Sequence, residues 1–154
     1  MAIEKARAYL RTFGLEDRVI ETEMESATVE TAAAALGCEP GRIAKSLSFL
    51  QGDQPVLVLA EGTARVDNHK YKAEFGCKAK MIKPDQVQEL IGHEPGGVCP
   101  FGVEENVKVY LDESLKHYDI VYPAAGNDHS AVRLTIEELE KCSRFLKWVD
   151  VCKE

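Results

Sequence analysis

The stretch from Ile43 to Ala60 leaves few folds open. Ile43–Leu50 alternates in the manner of a strand, "PVLVLA" (55–60) is a second, strongly apolar strand, and only "QGDQ" lies between them. A connection that short closes an antiparallel hairpin, because parallel neighbours need a crossover of about a dozen residues or more. Further strand candidates are "VIET" (19–22), "AKMI" (79–82), "VKVYL" (107–111), "IVYP" (120–123), "AVRLT" (131–135) and "FLKWVDV" (145–151). Several of these also sit too close together for helical crossovers. The expected class is therefore α+β, with a mixed, partly antiparallel sheet and short flanking helices, and not a doubly wound parallel sheet.

The helices announce themselves by their ends. Residues 3–13 carry Ile3, Ala6, Tyr9 or Leu10, and Phe13 at helical spacing before Gly14, and Thr28 opens "VETAAAAL", closed by Gly37. Asp67 to Phe75 reads as a short basic helix ending at Gly76. Pro84 and Gly92 bracket "DQVQELI", and Thr135-Ile-Glu-Glu138 is a capping box. No repeat, low-complexity tract or linker divides the 154 residues, so a single domain over 1–154 is expected.

Charge and cysteine usage narrow the function. The five cysteines are odd in number, and none forms a C-x-x-C pair or a Cys–His cluster of zinc-like spacing. Reduced thiols, no metal and no other cofactor are expected. No apolar run approaches the ~20 residues of a membrane span, and "MAIEKARAYLRTFG" does not read as a signal peptide. A cytoplasmic protein without a membrane partner is the expectation. The net charge of −7 argues against indiscriminate nucleic-acid binding, so no DNA partner is expected. Between Arg65 and Lys83, however, six basic residues (Arg65, Lys70, Lys72, Lys78, Lys80, Lys83) face only Asp67 and Glu74, a local net charge of +4. That asymmetry is either a solvated face or a landing surface for an anionic partner.

Three places could carry chemistry. "GGVCPFG" (96–102) holds Cys99, but a nucleophilic thiol needs an oriented base; His93 lies six residues upstream while His69, His117 and His129 are scattered, so the sequence shows no dyad. The glycines Gly96, Gly97 and Gly102 let a ligand approach the main chain, and Pro100 stiffens it. The amides around Val98 and Cys99 then suit an anion or a carbonyl oxygen, and a plain structural turn is the other reading. Lys45 shares a strand face with Ile43 and Leu47, where a charge must be paired or line a cavity. It is a cationic anchor for phosphate or carboxylate, or an edge-strand lysine kept for solubility. "AAGNDHSAVRL" (124–134) sets Gly126, Asn127 and His129 in a turn, as turn chemistry or as polar groups facing a pocket.

Together these stretches resemble the YbaK/EbsC family, the domain associated with prolyl-tRNA synthetase that edits mischarged tRNA. The resemblance rests on the alanine-rich helix ending in Gly37, on "GRIAKSLSF", on the Asp67/Lys70 helix running on to "KMIKPDQVQELIGHEPGGVCPFG", and on "AAGNDHSAVRLTIEEL". They span almost the whole chain, as in a freestanding member. The resemblance implies hydrolysis of the ester joining a wrong amino acid, such as Cys, Ala or another small residue, to the tRNA 3′ end, without a covalent enzyme nucleophile. It implies that Lys45 holds the terminal phosphate and that the Gly96, Gly97, Val98, Cys99, Pro100 backbone orients the carbonyl and the attacking water. Ser46 helps set the accepted amino acid, Gly126, Asn127 and His129 line the pocket, and Lys70 in the basic stretch meets the substrate. The implied partners are the acceptor end of mischarged tRNA and a prolyl-tRNA synthetase. Several relatives have serine where Cys99 stands, which speaks against shared thiol chemistry. A non-catalytic module holding a tRNA end or a small ligand is the rival, since no acid–base pair is evident.

Overall fold

The computed structural model describes residues 2–23 and 28–153. In chain order the helices are α1 (Ala2–Arg11), α2 (Val29–Leu36), α3 (Asn68–Phe75), α4 (Pro84–Ile91) and α5 (Ile136–Cys142). The strands are β1 (Val19–Glu21), β2 (Ile43–Gln51), β3 (Gln54–Glu61), β4 (Arg65–Val66), β5 (Lys108–Asp112), β6 (Ile120–Pro123), β7 (Ser130–Val132), β8 (Leu134–Thr135), β9 (Trp148–Val149) and β10 (Cys152–Lys153).

The β2–β3 hairpin is the centre of a six-stranded sheet of order β8-β6-β2-β3-β5-β9. Its two strands pair antiparallel from Ala44↔Glu61 to Gln51↔Gln54, as the short connection requires. Both outer neighbours, β6 on β2 and β5 on β3, are parallel and reached by long excursions of the chain. The sheet is mixed, and the α+β expectation holds.

The unbroken apolar run of β3 follows from its position, since a central strand is covered on both faces. Leu57 and Leu59 point into a core shared with α1, α4 and α5, through Ala6, Leu10, Val87, Ile91 and Leu139. Val56, Val58 and Ala60 point into a second core closed by α3 and the C-terminal segment, with Tyr71, Val149 and Val151. In that second core Phe49, Tyr71, Phe75 and Tyr110 stack in series, with centroids 4.9, 4.7 and 5.0 Å apart.

The helix ends form as their sequences dictate. Thr28 and Thr135 make reciprocal capping boxes, Asp67 accepts from the His69 and Lys70 amides, and Gly37, Gly76 and Gly92 end their helices. Three strands are shorter than expected. "AKMI" reduces to one bridge, Phe49↔Met81: β6 occupies the β2 edge at Ile43 and Ala44, and the 80–82 segment meets that edge only at Ser48–Leu50. "AVRLT" splits at Arg133, whose amide donates to Arg18 (3.1 Å), so β7 pairs with β1 and β8 with β6. "FLKWVDV" leaves the sheet after Val149, where the Val151 amide donates to Asp112 (2.8 Å) and the chain turns to pair β10 with β4.

Truncating the central strand is the sharpest test of this core. Leu57→Ala is expected to cost about 2–5 kcal/mol of unfolding free energy in urea titrations. Leu146→Ala, at a side chain 59% exposed, is expected to change stability by about 0.5 kcal/mol or less.

Candidate functional site

A cavity of about 300 Å³ opens on the β2 edge. Its walls include Lys45, Ser46 and Ser48 of β2, Val29, Ala32 and Leu36 of α2, Pro95, Gly96 and Val98 of the long loop, and Ser130 and Ala131 of β7. The α2 residues are spaced i, i+3, i+7, an amphipathic stripe that faces the cavity while Ala33 packs into the interior. That stripe was readable as apolar but not as cavity wall. Tyr122 and Met81 also line it, and like Ser130 they carried no sequence signal.

The glycine-rich loop and the 126–129 turn, far apart in sequence, meet here. Gly97 is buried, and a Cβ there would lie 2.5 Å from the Gly126 carbonyl carbon and 2.6 Å from the Asn127 nitrogen. Only glycine permits that backbone approach. Gly96 takes a left-handed φ of +91° with Asp128 beside it, and the Gly97 amide closes a tight turn on Glu94 (3.0 Å). Among the described residues the Val98 and Cys99 amides have no intramolecular acceptor. Val98 lines the cavity, whereas Cys99 and Pro100 are buried behind it.

Lys45 satisfies the condition its strand position imposes. It lines the cavity, and its ammonium donates to the carbonyls of Gly62 and Ala64. A Cβ on Gly62 would strike Val29, so these carbonyls adjoin the α2 wall. Partial burial lowers the Lys45 pKa, against the raising influence of Cys152 and Glu61. An ammonium has three donors, and two carbonyls leave one for a ligand. Ser46, from the opposite face of β2, offers a buried hydroxyl with no partner among the described residues.

Cys99 sits beside a histidine after all, but not as a nucleophile. It is 0% exposed, and burial pushes its thiol up to about 12. The His93 Nε2 lies 3.5 Å from Cys99 Sγ and 2.7 Å from the Phe101 carbonyl oxygen. A carbonyl only accepts, so Nε2 carries the proton and cannot take one from the thiol. His93 is a fully buried tether of the loop, with its Nδ1 unpartnered among the described residues. Tyr9 of α1 presses on Phe101 from behind (6.2 Å between centroids).

The other expected residues are placed less centrally. Asn127 Oδ1 accepts from the His129 amide (3.1 Å), and His129 Nδ1 meets Asp128 (3.1 Å), so both shape the turn while Ser130 and Ala131 reach the cavity. Lys70 points elsewhere, to Asp150 (3.1 Å) and the Cys152 carbonyl (3.0 Å), because Tyr71 beside it anchors α3 in the second core. It lines a separate hollow with Asp112 and His117. Among the described residues no group of His, Cys, Asp and Glu is arranged to hold a metal ion, and no helix is long and apolar enough to cross a membrane.

The profile of the aminoacyl-tRNA editing domain matches residues 23–142. The chain belongs to that family. The match takes in β2, the glycine-rich loop and the 126–129 turn, so every wall of the cavity lies inside the editing domain. The chain is 47% identical to the uncharacterized protein YwhH of Bacillus subtilis, covering 100% of this chain and 99% of that one. It is also 34% identical to the proline–tRNA ligase of Limosilactobacillus fermentum, over 58% of this chain and 17% of the ligase. A solved structure described as a candidate trans-editing enzyme for prolyl tRNA synthetase superposes with a TM-score of 0.89 at 31% identity, covering 99% and 98% of the two chains.

The buried imidazole makes the editing domain's stability depend on pH. Burial lowers the His93 pKa, so the unfolded chain takes up the proton first. Its contribution is complete above about pH 6.5 and is lost as the pH falls from there toward the lowered folded value. Urea midpoints are expected to drop more between pH 7 and 5 for the wild type than for His93→Gln, whose amide still donates to Phe101. Equal drops would contradict the account.

Proposed function

We propose that this editing domain is a freestanding aminoacyl-tRNA deacylase that hydrolyses the ester of mischarged tRNA, with tRNA(Pro) carrying Cys, Ala or another small amino acid as the substrate class. The observation that carries the reading is that one small cavity is lined by Lys45 together with Gly96 and Val98 of the glycine-rich loop. An aminoacyl ester is already activated, so positioning and stabilisation of the developing oxyanion suffice to accelerate attack by water.

In this reading the remaining Lys45 donor meets the phosphate of the terminal nucleotide. The Val98 amide at the cavity wall receives the carbonyl oxygen as it gains charge in the tetrahedral intermediate, with the Cys99–Pro100 backbone holding the loop behind it. Water adds to the carbonyl carbon, one of its protons passes to the ribose oxygen as the ester bond to that oxygen breaks, and the free amino acid and tRNA with its hydroxyl restored leave. The Ser46 hydroxyl and the apolar α2 stripe bound the space left for the amino-acid side chain, which is how such a site favours small residues. The chain covers only a small part of the ligase it matches, so delivery by a prolyl-tRNA synthetase belongs to the same proposal.

The test is single-turnover deacylation of Cys-tRNA(Pro) and Ala-tRNA(Pro) by two variants. Lys45→Ala is expected to lower kcat/KM about 10- to 100-fold, the size of a lost charge-assisted contact. Cys99→Ser is expected to stay within about threefold of the wild type, since serine shares the thiol's size and the backbone does the work. Loss of activity in Cys99→Ser with an unchanged unfolding curve would overturn the backbone mechanism.

A further inference from the structure

A second concavity, of about 620 Å³, lies between α3 and the chain that follows it, lined by Asn68, His69, Lys72, Ala73, Lys78 and Ala79. The 78–84 segment joins it to the editing cavity. Lys78 and Ala79 belong to the groove, while Met81, Ile82 and Pro84 belong to the cavity. This shared wall is fixed, because the Leu50 amide donates to Lys80 (2.9 Å) and the Ile82 amide to Ser48 (3.0 Å).

The cations along this wall are unspent. Lys70 and Lys147 are taken up by Asp150 and Glu74, but Lys72, Lys78, Lys80 and Lys83 are exposed and have no ion-pair partner among the described residues. Met81 stands among them with 56% of its surface exposed, unusual for a large apolar side chain. Exposed cations around an apolar platform suit single-stranded nucleic acid, whose phosphates take the charges while a base lies on the platform. A folded acidic protein would have no use for the continuity with the cavity.

We propose that Lys72, Lys78, Lys80 and Lys83 form a track for the single-stranded 3′ segment of the RNA whose terminus enters the cavity, with Met81 as an apolar contact for a base at the entrance. The inference rests on the deacylase reading, since the RNA terminus is what that reading places in the cavity. It also explains how a chain of net charge −7 holds an anion: the acidic remainder repels RNA everywhere else and restricts it to one path.

The test is direct binding, by fluorescence anisotropy, of an uncharged RNA minihelix with a single-stranded 3′ end across a salt series. Lys78→Glu/Lys80→Glu is expected to weaken binding by about tenfold or more at low salt, and the slope of log K against log salt is expected to become shallower by about 1.4 for two lost phosphate contacts. Lys116→Glu/Lys141→Glu, which makes the same change of net charge on other surfaces, is expected to change affinity by less than about twofold. Equal losses in the two variants, or displacement of the RNA by poly-glutamate as readily as by unlabelled RNA, would overturn the track. Undiminished binding in Lys78→Glu/Lys80→Glu by a protein that hydrolyses mischarged tRNA overturns the track and leaves the deacylase reading standing. Wild-type binding without hydrolysis of any mischarged tRNA does the reverse.

Discussion

The antiparallel pairing of β2 with β3 is the constraint on which the rest of the molecule depends. It buries β3 on both faces, so the sheet needs a core on each side, and α1, α4 and α5 supply one while α3 and the C-terminal segment supply the other. Because β3 and β6 flank it, β2 is held along one edge and only partly along the other, where Ile43 and Ala44 meet β6. The unfilled stretch of that edge is where the cavity forms. Two successive residues of one strand, Lys45 and Ser46, therefore bring different chemistry to it from opposite faces.

The second dependence is backbone against backbone. Gly97 lies so close to the 126–127 peptide that no side chain fits between them, and this contact fixes the loop whose amides remain unspent. Behind the loop, His93 and Cys99 form a dry, uncharged support. The imidazole Nε2–H donates a hydrogen bond to the Phe101 carbonyl and the thiol stays protonated. Internal bonding leaves over, at the cavity, one ammonium donor, one serine hydroxyl and the Val98 amide, and the proposed deacylation draws on these.

Much of this was legible in the sequence, and what was not has physical reasons. The hairpin, the capped helices and the α+β class followed from spacing and end residues, which are local. The membership of the editing family followed from motifs in the right order. Strand lengths after Phe145 and around Arg133 were not legible, because they depend on which distant edge is vacant. "AKMI" looked like a strand for the same reason. The Lys45 position and the glycine-rich loop stood out as local anomalies, a charge on an apolar face and three glycines around a proline. The walls contributed by α2, Tyr122 and Ser130 did not, since a small apolar residue facing a cavity is spelled like one facing a core. His93 beside Cys99 needed the loop's path, and only that path revealed which imidazole nitrogen holds the proton.

The account's central claim is that this cavity removes small amino acids from mischarged tRNA. The most direct measurement is a time course of wild-type protein against a panel comprising Ala-tRNA(Pro), Cys-tRNA(Pro) and correctly charged Pro-tRNA(Pro). The account predicts that at least one of the first two is hydrolysed faster than in buffer while Pro-tRNA(Pro) is spared. Survival of both mischarged species at the buffer rate, or equal loss of all three, would contradict it.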